Sequence, residues 1–187
     1  MRIISGTWGG RTLVSPKGDA TRPTADRTRE ALFSMLVSRV GEFDGLKVAD
    51  LFAGSGALGF EALSRGAAEC TFVEMERAAL DCLRANAEKL GVKPDIRAQS
   101  ALTVAPAAAP YDIIMMDPPY GSGAGAVALD KLKRFGWISP ATIISIETSR
   151  KEKVEVAGFE AEVVRDYGKA RVTLLRLAAP TEEPADD

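Results

Sequence analysis

The chain of 187 residues contains no histidine and only two cysteines. Without histidine it cannot form Ser-His-Asp or Cys-His catalytic sites, or any metal site that needs an imidazole ligand. Cys70 and Cys82 do not have the close spacing of a metal-binding pair, so no metal site is expected. Unpaired cysteines of this kind are typical of a reducing compartment, and we expect a cytoplasmic protein.

Long apolar runs are also missing from the sequence. None approaches the roughly 20 residues that span a bilayer, and the amino terminus lacks the apolar core of a signal peptide. The hydrophobic fraction of 46% and the charged fraction of 27% are those of an ordinary globular protein, so no membrane contact is expected. The length predicts one main domain, 41–179, with a small appendage, 1–40. The acidic end, 180–187, has no aromatic residue and is expected to be disordered.

The charges are distributed unevenly along the chain. The net charge is −2, but residues 1–40 hold seven lysines and arginines against three acidic residues. In this segment Arg27 and Arg29 lie off the apolar face of a predicted helix, and we expect them in solvent or against a ligand. A basic segment can contact phosphate groups, and it can equally be a solvated surface. Charge alone therefore leaves nucleic-acid binding open.

The hydrophobic pattern predicts a doubly wound α/β sheet, because strands and helices alternate with short loops. An amino-terminal pair of short strands surrounds a glycine-rich turn, as a hairpin or a looser two-stranded loop. A hairpin turn at 166–169 makes the last strand antiparallel. The predicted strands are 2–5, 11–14, 48–52, 70–74, 95–98, 111–116, 142–147, 159–165 and 171–177, and the predicted helices are 24–40, 57–65 and 77–90.

A glycine-rich loop follows the strand at 48–52. Residues 54–59, Gly-Ser-Gly-Ala-Leu-Gly, match the G-x-G-x-x-G pattern, in which glycines permit a tight turn and close approach of the backbone to a ligand. Glu74 ends the next strand, where its carboxylate can accept hydrogen bonds from the ribose hydroxyls of an adenosine. The pattern fits both NAD and S-adenosylmethionine. Asp50 favours the second, because it can pair with an ammonium group but repels a pyrophosphate.

The tetrapeptide 117–120, Asp-Pro-Pro-Tyr, follows the apolar strand at 111–116. Prolines end that strand, so the tetrapeptide lies at its carboxyl end, where α/β sheets bind ligands. Asp117 is an ionised acceptor, the Pro118 carbonyl is a second acceptor, and Tyr120 can stack on a base. This set suits a flat, amine-bearing group. It does not by itself distinguish guanine, adenine or a glutamine amide.

Together, residues 50–56 and 117–120 resemble the two signature motifs of S-adenosylmethionine-dependent amino-methyltransferases. The resemblance implies a Rossmann-like fold with a seven-stranded, mostly parallel sheet whose last strand is antiparallel. Since neither cysteine follows a proline, the Pro-Cys nucleophile of cytosine-C5 methyltransferases is excluded. Many superfamily members carry an acid where Gln99 and Ser100 stand here. The implied cofactor-binding residues are Asp50, Ala53, Gly54, Gly56, Glu74, Ser100 and Ala101.

The amino-terminal segment adds a more specific resemblance. Residues 2–6, Gly10-Arg11 and the run 22–33, which starts Arg-Pro-Thr-Ala-Asp-Arg, resemble the RsmD-type family of bacterial 16S ribosomal RNA guanine-N2 methyltransferases. This family implies an amino-terminal hairpin that contacts RNA, and a substrate in the small ribosomal subunit or a late assembly intermediate. We expect a monomer. The expected RNA-binding residues are Arg2, Trp8, Arg11, Arg22 and Arg27.

Other functions remain open from the sequence. The same tetrapeptide serves methylation of adenine N6 or of a protein glutamine amide. From a different class, the chain can be a non-catalytic ribosome assembly factor whose binding matters more than its chemistry. The glycine-rich segment 121–125 is either a mobile lid or a link to the next helix.

Overall fold

The computed structural model describes residues 1–18 and 23–180. The predicted disordered tail and the RNA contact assigned to Arg22 lie outside these residues, except for Pro180. In chain order the elements are α1 (Pro23–Val40), β1 (Lys47–Leu51), α2 (Ala57–Ser64), β2 (Glu69–Glu74), α3 (Arg77–Leu90), β3 (Asp95–Ala98), a 3-10 turn (Ala101–Thr103), β4 (Ile113–Met116), α4 (Ala124–Arg134), β5 (Ile143–Ser149), β6 (Phe159–Tyr167) and β7 (Ala170–Leu177).

The seven named strands form one sheet in the order β3-β2-β1-β4-β5-β7-β6. Strands β1 to β5 are parallel to one another, and β7 runs antiparallel to both β5 and β6. Tyr167 pairs with Ala170 across the predicted hairpin turn. The predicted Rossmann-like methyltransferase sheet with an antiparallel last strand is therefore confirmed. Helix α1 starts at Pro23, which suits a first helical position because proline has no N–H to leave unpaired.

Apolar side chains form a core on each face of the sheet. On one face Phe33 and Leu36 of α1 pack with Phe60 and Phe72. On the other face Leu129 and Leu132 of α4 pack with Trp137. Burial on both faces explains why the central strands are almost continuously apolar. Within the described ranges, no helix is both long and apolar enough to cross a membrane.

Several strand boundaries differ from the prediction by one or two residues, and two of these differences have a cause in the structure. Strand β1 ends at Leu51, because Phe52 has a φ of 59° and leaves the extended conformation. Strand β4 begins at Ile113, because the N–H of Tyr111 donates to the Trp137 carbonyl instead of to a neighbouring strand. Both differences arise from tertiary contacts or turns at the strand ends, which periodicity does not encode.

The amino-terminal segment, residues 1–18, forms the looser of the two predicted arrangements. An antiparallel bridge joins Arg2 to Thr12, and backbone hydrogen bonds link residues 1–3 to residues 10–13 without forming two regular strands. The N–H groups of Ile4 and Ser5 donate to the carboxylate of Glu61 on α2, at 2.8 and 3.0 Å. These two donors are thus bound to a helix side chain and are not available for a strand ladder. The segment packs against the sheet's own core through Ile3 and Leu13. Its treatment as a separate unit, 1–40, stays a prediction.

The burial of Arg29 corrects the expectation that this side chain lies in solvent or against a ligand. The side chain is only 6% exposed. The guanidinium donates to the Arg2 carbonyl and to Asp26, and lies 4.0 Å from Glu61. Burial lowers the pKa of Arg29, and the neighbouring carboxylates of Asp26 and Glu61 oppose that shift. Arg29 therefore ties the amino-terminal segment to its own helix, α1, next to Glu61 of α2.

Candidate active site

The candidate site lies at the carboxyl edge of the parallel strands. Leu51 pairs with Val73 on one side and with Met116 on the other, and Met116 pairs with Ile146. The next residues along these four strands therefore lie in a row at one edge of the sheet. They are Phe52, Glu74, Asp117 and Glu147. The sheet thus brings the glycine loop, the acid of β2 and the tetrapeptide together, as predicted for ligand sites in such folds.

The glycine loop after β1 is held in a left-handed backbone conformation. Gly54 and Gly56 have φ values of 57° and 88°, which side-chain-bearing residues rarely adopt. A Cβ on Gly56 would lie 2.4 Å from a methyl of Leu83, so glycine is required there for packing. A Cβ on Gly54 would meet nothing within 4 Å. The backbone at Gly54 therefore faces open space that a cofactor can fill, beside the Ala53 position.

Glu74 ends β2 and binds the backbone on both sides of the site. Its Oε2 accepts the N–H of Gly54 at 2.7 Å, while Oε1 accepts those of Met75 and Glu76 at 2.7 and 2.8 Å. A carboxylate has about four acceptor positions, so these bonds leave about one on Oε2 for a ribose hydroxyl. Glu74 therefore shapes the glycine loop and keeps one acceptor position at the edge of the site. The next residue, Met75, is 62% exposed at the same edge, and no sequence pattern marked it.

Asp50 lies beneath the glycine loop with 1% of its surface exposed. Its Oδ2 accepts the N–H of Gly59 at 2.9 Å, whereas Oδ1 is buried without a hydrogen-bond partner. Burial raises the pKa of Asp50 well above its usual range, and the Gly59 N–H opposes that shift only in part. An unpartnered carboxylate oxygen under the loop fits a cationic ligand group, directly or through water.

We expect Asp50→Asn to stabilise the protein while weakening cofactor binding. The pKa of Asp50 in the folded protein lies above its ordinary value of 3.8. The free energy of unfolding therefore falls as pH rises from 3.8 through the folded-state pKa, because the buried carboxyl group resists ionisation. Removing the buried charge should raise the free energy of unfolding by about 1 kcal/mol or more at pH 8. The dissociation constant for S-adenosylmethionine should rise about tenfold, from the loss of one ionic contact. Urea denaturation at pH 5 and 8 measures the free energy of unfolding, and calorimetric titration measures the dissociation constant. An unchanged affinity would contradict the ammonium contact.

The loop after β3 contributes the remaining predicted cofactor residues. The Gln99 N–H donates to the Glu74 carbonyl at 3.0 Å, which ties this loop to the acid of β2. The Ser100 hydroxyl accepts the Leu102 N–H at 3.1 Å and begins the 3-10 turn, in which Ala101 is buried. The structure thus places Ser100 and Ala101 near Glu74, and their contact with the adenine remains a proposal.

The tetrapeptide leaves the sheet directly after β4. Asp117 is exposed at the strand end, and its N–H points to the Leu51 carbonyl at 3.5 Å, whereas Pro118 is buried. Tyr120 is half-exposed, and its hydroxyl donates to Glu147 Oε1 at 2.8 Å. Burial, and then the hydrogen bond to Glu147, raises the pKa of the Tyr120 phenol above its usual range. Tyr120 is thus a neutral phenol whose ring is oriented by its hydroxyl.

The glycine-rich segment 121–125 is tied down at several points. The Gly121 N–H donates to Glu152 Oε1 at 2.9 Å, and the Ser122 hydroxyl donates to the Pro119 carbonyl at 2.6 Å. Helix α4 begins at Ala124, so the last two residues of the segment form its first turn. The segment is therefore a hydrogen-bonded turn leading into a helix.

Three of the predicted RNA-contacting arginines are exposed on the amino-terminal side of the molecule. Arg2 and Arg27 line one surface groove together with Ile4 and Gly10, and Arg11 is exposed nearby in the chain. Trp8 is partly buried and packs against the core. Its backbone N–H donates to the Ser64 hydroxyl at 2.9 Å. The arginines are thus accessible from solvent, with Asp26 and Glu30 in the same groove, while Trp8 contributes to packing.

Asn86, which the sequence did not single out, joins this segment to the glycine loop. It is fully buried on α3, and its amide nitrogen donates to the carbonyls of Val14 and Ser55 at 2.9 and 3.0 Å. Its Oδ1 accepts the Val14 N–H at 2.7 Å. One side chain thus holds the loop that faces the cofactor and the segment that carries the arginines. Only tertiary contacts reveal it, because Asn86 is 72 residues from Val14.

We expect Asn86→Ala to weaken cofactor binding and destabilise the amino-terminal segment. Three backbone groups lose their partner, two on the partly exposed Val14 and one on the buried Ser55. Each unsatisfied buried group costs about 1–3 kcal/mol. If about 1.4 kcal/mol of this acts through Ser55, the dissociation constant for the cofactor rises about tenfold. Calorimetric titration measures that constant, and hydrogen exchange at Val14 reports on the segment. Asn86→Asp, which keeps one acceptor but loses both donors, should show a similar loss.

A metal centre is not evident in the described chain. Across residues 1–18 and 23–180, no three His, Cys, Asp or Glu side chains cluster closely enough to hold a metal ion. Cys70 is buried and Cys82 is partly buried, and both are free thiols.

Comparison with known proteins decides the family. The family model described as "Conserved hypothetical protein 95" matches residues 1–176. A ribosomal RNA small subunit methyltransferase D from Escherichia coli K12 is 38% identical over 190 residues, which cover 100% of this chain and 94% of the relative. The chain belongs to the RsmD-type family. This membership confirms the resemblance seen in the sequence.

Solved structures agree with the family and the fold. A putative methyltransferase from Escherichia coli, yhhF, superposes with a TM-score of 0.83 at 34% identity, covering 95% of this chain and 97% of its own. Magnesium protoporphyrin IX methyltransferase from Synechocystis, solved with bound S-adenosylmethionine, has a TM-score of 0.65 at 14% identity, covering 86% and 87% of the two chains. The second likeness concerns the fold alone.

Proposed function

We propose that this RsmD-type protein methylates the exocyclic N2 amine of a guanine in 16S ribosomal RNA, in the cytoplasm, acting as a monomer on the small subunit or a late assembly intermediate. Methylation of ribosomal RNA with S-adenosylmethionine as cofactor is the activity that its family membership supports. The single observation that carries the methylation of an exocyclic amine is the meeting of Asp117, Pro118 and Tyr120 with the glycine loop at one sheet edge. The choice of guanine N2 in 16S ribosomal RNA rests on the resemblance of the amino-terminal segment to the RsmD-type family.

The residues present fit the cofactor. S-adenosylmethionine, when bound, supplies an electrophilic methyl group carried on a sulfonium. The open backbone at Gly54 and the remaining acceptor position on Glu74 would hold its adenosine, and the buried Oδ1 of Asp50 would face its ammonium group. Ser100 and Ala101 would border the adenine.

The tetrapeptide prepares the amine for attack. The lone pair of a nucleobase amine is delocalised into the ring, so the nitrogen must move from planar towards tetrahedral before it can bond to carbon. Asp117 and the Pro118 carbonyl would accept its two N–H groups and favour that change. The Asp117 carboxylate then stabilises the positive charge that the nitrogen acquires, until a proton leaves to water. Tyr120 would stack on the base and, together with these acceptors, hold the nitrogen in line, which can contribute roughly 7–11 kcal/mol to the barrier reduction.

The amino-terminal segment supports an RNA substrate. Its exposed arginines, Arg2, Arg11 and Arg27, are suited to phosphate contacts, which position nucleic acid without reading its sequence. Met1 of the same segment lies 3.7 Å from the Ser55 hydroxyl, measured from sulfur to oxygen. The basic side chains therefore belong to a segment that adjoins the glycine loop, so bound RNA can deliver a flipped base to the tetrapeptide.

A methyl-transfer assay tests the proposal. The purified protein is incubated with labelled S-adenosylmethionine and either small subunits, naked 16S ribosomal RNA, DNA or a protein extract, and the products are hydrolysed and identified as nucleosides or amino acids. We expect N2-methylguanosine from ribosomal substrate alone. N6-methyladenosine or methylglutamine would refute guanine specificity, and binding without any transfer would indicate an assembly factor.

A further inference from the structure

Glu147 lies beside Asp117 at the candidate active site. In the parallel register Met116 pairs with Ile146, so the next residues on β4 and β5 are Asp117 and Glu147. Side chains alternate between the faces of a strand. Met116 and Ile146 both belong to the core on the α4 face. Glu147 therefore projects to the opposite face, which carries α1, α2 and α3. Asp117 follows Met116 directly, beside Glu147. The tetrapeptide thus has a second carboxylate as its neighbour.

Tyr120 fixes the orientation of this second carboxylate. Its hydroxyl donates to Glu147 Oε1 at 2.8 Å, and within the described part of the chain the side-chain hydrogen bonds of Glu147 involve that oxygen and not Oε2. Glu147 is partly buried, which raises its pKa, while the bond from Tyr120 opposes the shift. The charges of Glu147 and Asp117 both act on the Tyr120 phenol. A base stacked on Tyr120 would therefore meet two carboxylates.

The nucleobases differ in what flanks their exocyclic amine. In guanine, the ring nitrogen N1 next to the N2 amine carries a hydrogen and donates. In adenine N1 and in cytosine N3, the corresponding ring nitrogen has a lone pair and accepts. An ionised carboxylate accepts only, so it binds the guanine edge and repels the other two. Of these bases, guanine alone offers a donor at that position.

We infer that Glu147 is a specificity-determining residue that accepts the N1–H of the target guanine while Asp117 accepts its amine. This inference rests on the proposed guanine-N2 activity and adds to it a residue outside the tetrapeptide. Such a site rejects an amine-bearing base that lacks the N1 hydrogen, because two lone pairs then face each other without a proton. Glu147 thus selects the base, and Tyr120 holds the Glu147 carboxylate in place.

The inference can be tested with 2,6-diaminopurine, which keeps the N2 amine but has an acceptor at N1. The methylated guanosine is first mapped with the unmodified enzyme, and 16S ribosomal RNA is then ligated with guanosine or 2,6-diaminopurine riboside at that position and assembled into small subunits. Single-turnover rates are measured at pH 8. We expect the enzyme to prefer guanosine by about 100-fold or more, and Glu147→Gln, whose amide can donate to N1, to reduce the preference to within about fivefold.

Two further variants separate specificity from structure. Glu147→Asp keeps an acceptor-only group and should keep the preference even if its rate falls. Glu152→Gln, which changes another carboxylate near Tyr120, should also keep it. An unchanged preference in Glu147→Gln, including equal losses on both bases, would overturn the inference. If mapping yields no methylated guanosine, the proposed function fails instead, and the two failures are thereby distinguished. Calorimetric titration of Glu147→Gln with S-adenosylmethionine should give an affinity within about twofold of the parent, as expected for a residue outside the cofactor site.

Discussion

Replacing Asp117 with alanine is expected to reduce methyl transfer about 10³-fold while leaving the affinity for S-adenosylmethionine within a few-fold. Asp117 is exposed at the carboxyl end of β4, whereas the groups assigned to the cofactor lie at the carboxyl ends of β1 and β2 and on the loops after β1 and β3. The variant should therefore lose the acceptor that prepares the amine and keep the cofactor site. Single-turnover methylation of small subunits and calorimetric titration of the cofactor measure the two quantities separately.

The side chain at position 117 can be varied in two steps. Asp117→Asn keeps one acceptor oxygen without the charge, so its rate should lie between those of the parent and Asp117→Ala. Asp130→Ala is a suitable control, because Asp130 is 61% exposed and pairs with Arg134 on α4, away from the sheet edge that carries the site. A normal rate in Asp117→Ala would remove Asp117 from the mechanism. An equally large loss of cofactor binding would make its role structural.

Glu61→Ala should be the most destabilising single substitution considered for this chain. The Glu61 side chain is fully buried on α2, where it accepts the N–H groups of Ile4 and Ser5 and pairs with Arg65 at 2.9 Å. Its removal also leaves the buried Arg29 guanidinium with one carboxylate fewer. Breaking a buried ion pair from one side costs about 3–5 kcal/mol. At about 2–4 °C per kcal/mol for a chain of this size, Tm should fall by about 10 °C.

Urea denaturation and calorimetry measure this loss of stability. Glu61→Gln keeps one acceptor oxygen for the backbone and should lose less, and hydrogen exchange at Ile4 and Ser5 should accelerate in both variants. Asp130→Ala again provides the control, because an exposed ion pair contributes about 0–1 kcal/mol. A change of less than about 1 kcal/mol in Glu61→Ala would show that Glu61 does not anchor the segment.

The motifs of the candidate site and their meeting at one sheet edge were predictable from the sequence, because each motif is continuous in the chain. The glycine loop and the tetrapeptide are continuous in the chain, and Glu74 follows Gly54 by 20 residues, at the end of the next strand. Parallel strands bring their carboxyl ends to one edge, so identifying the strands was enough to bring these motifs together. The same local signals predicted the antiparallel last strand from the turn at 166–169. Family membership and the fold then confirmed the expected class of protein.

Only the tertiary structure decided how the amino-terminal segment is attached and what lies beside the tetrapeptide. Glu61 binds Ile4 at a separation of 57 residues, and Asn86 binds Val14 at 72. Tyr120 and Glu147 lie 27 residues apart and meet through the β4–β5 register. Hydrophobic periodicity reports which face of an element is buried, but it carries no information on which polar side chain meets which backbone group across the core. The local motifs therefore determined the class of protein and the candidate site, whereas long-range packing decided the anchoring of the segment and the neighbour of Asp117.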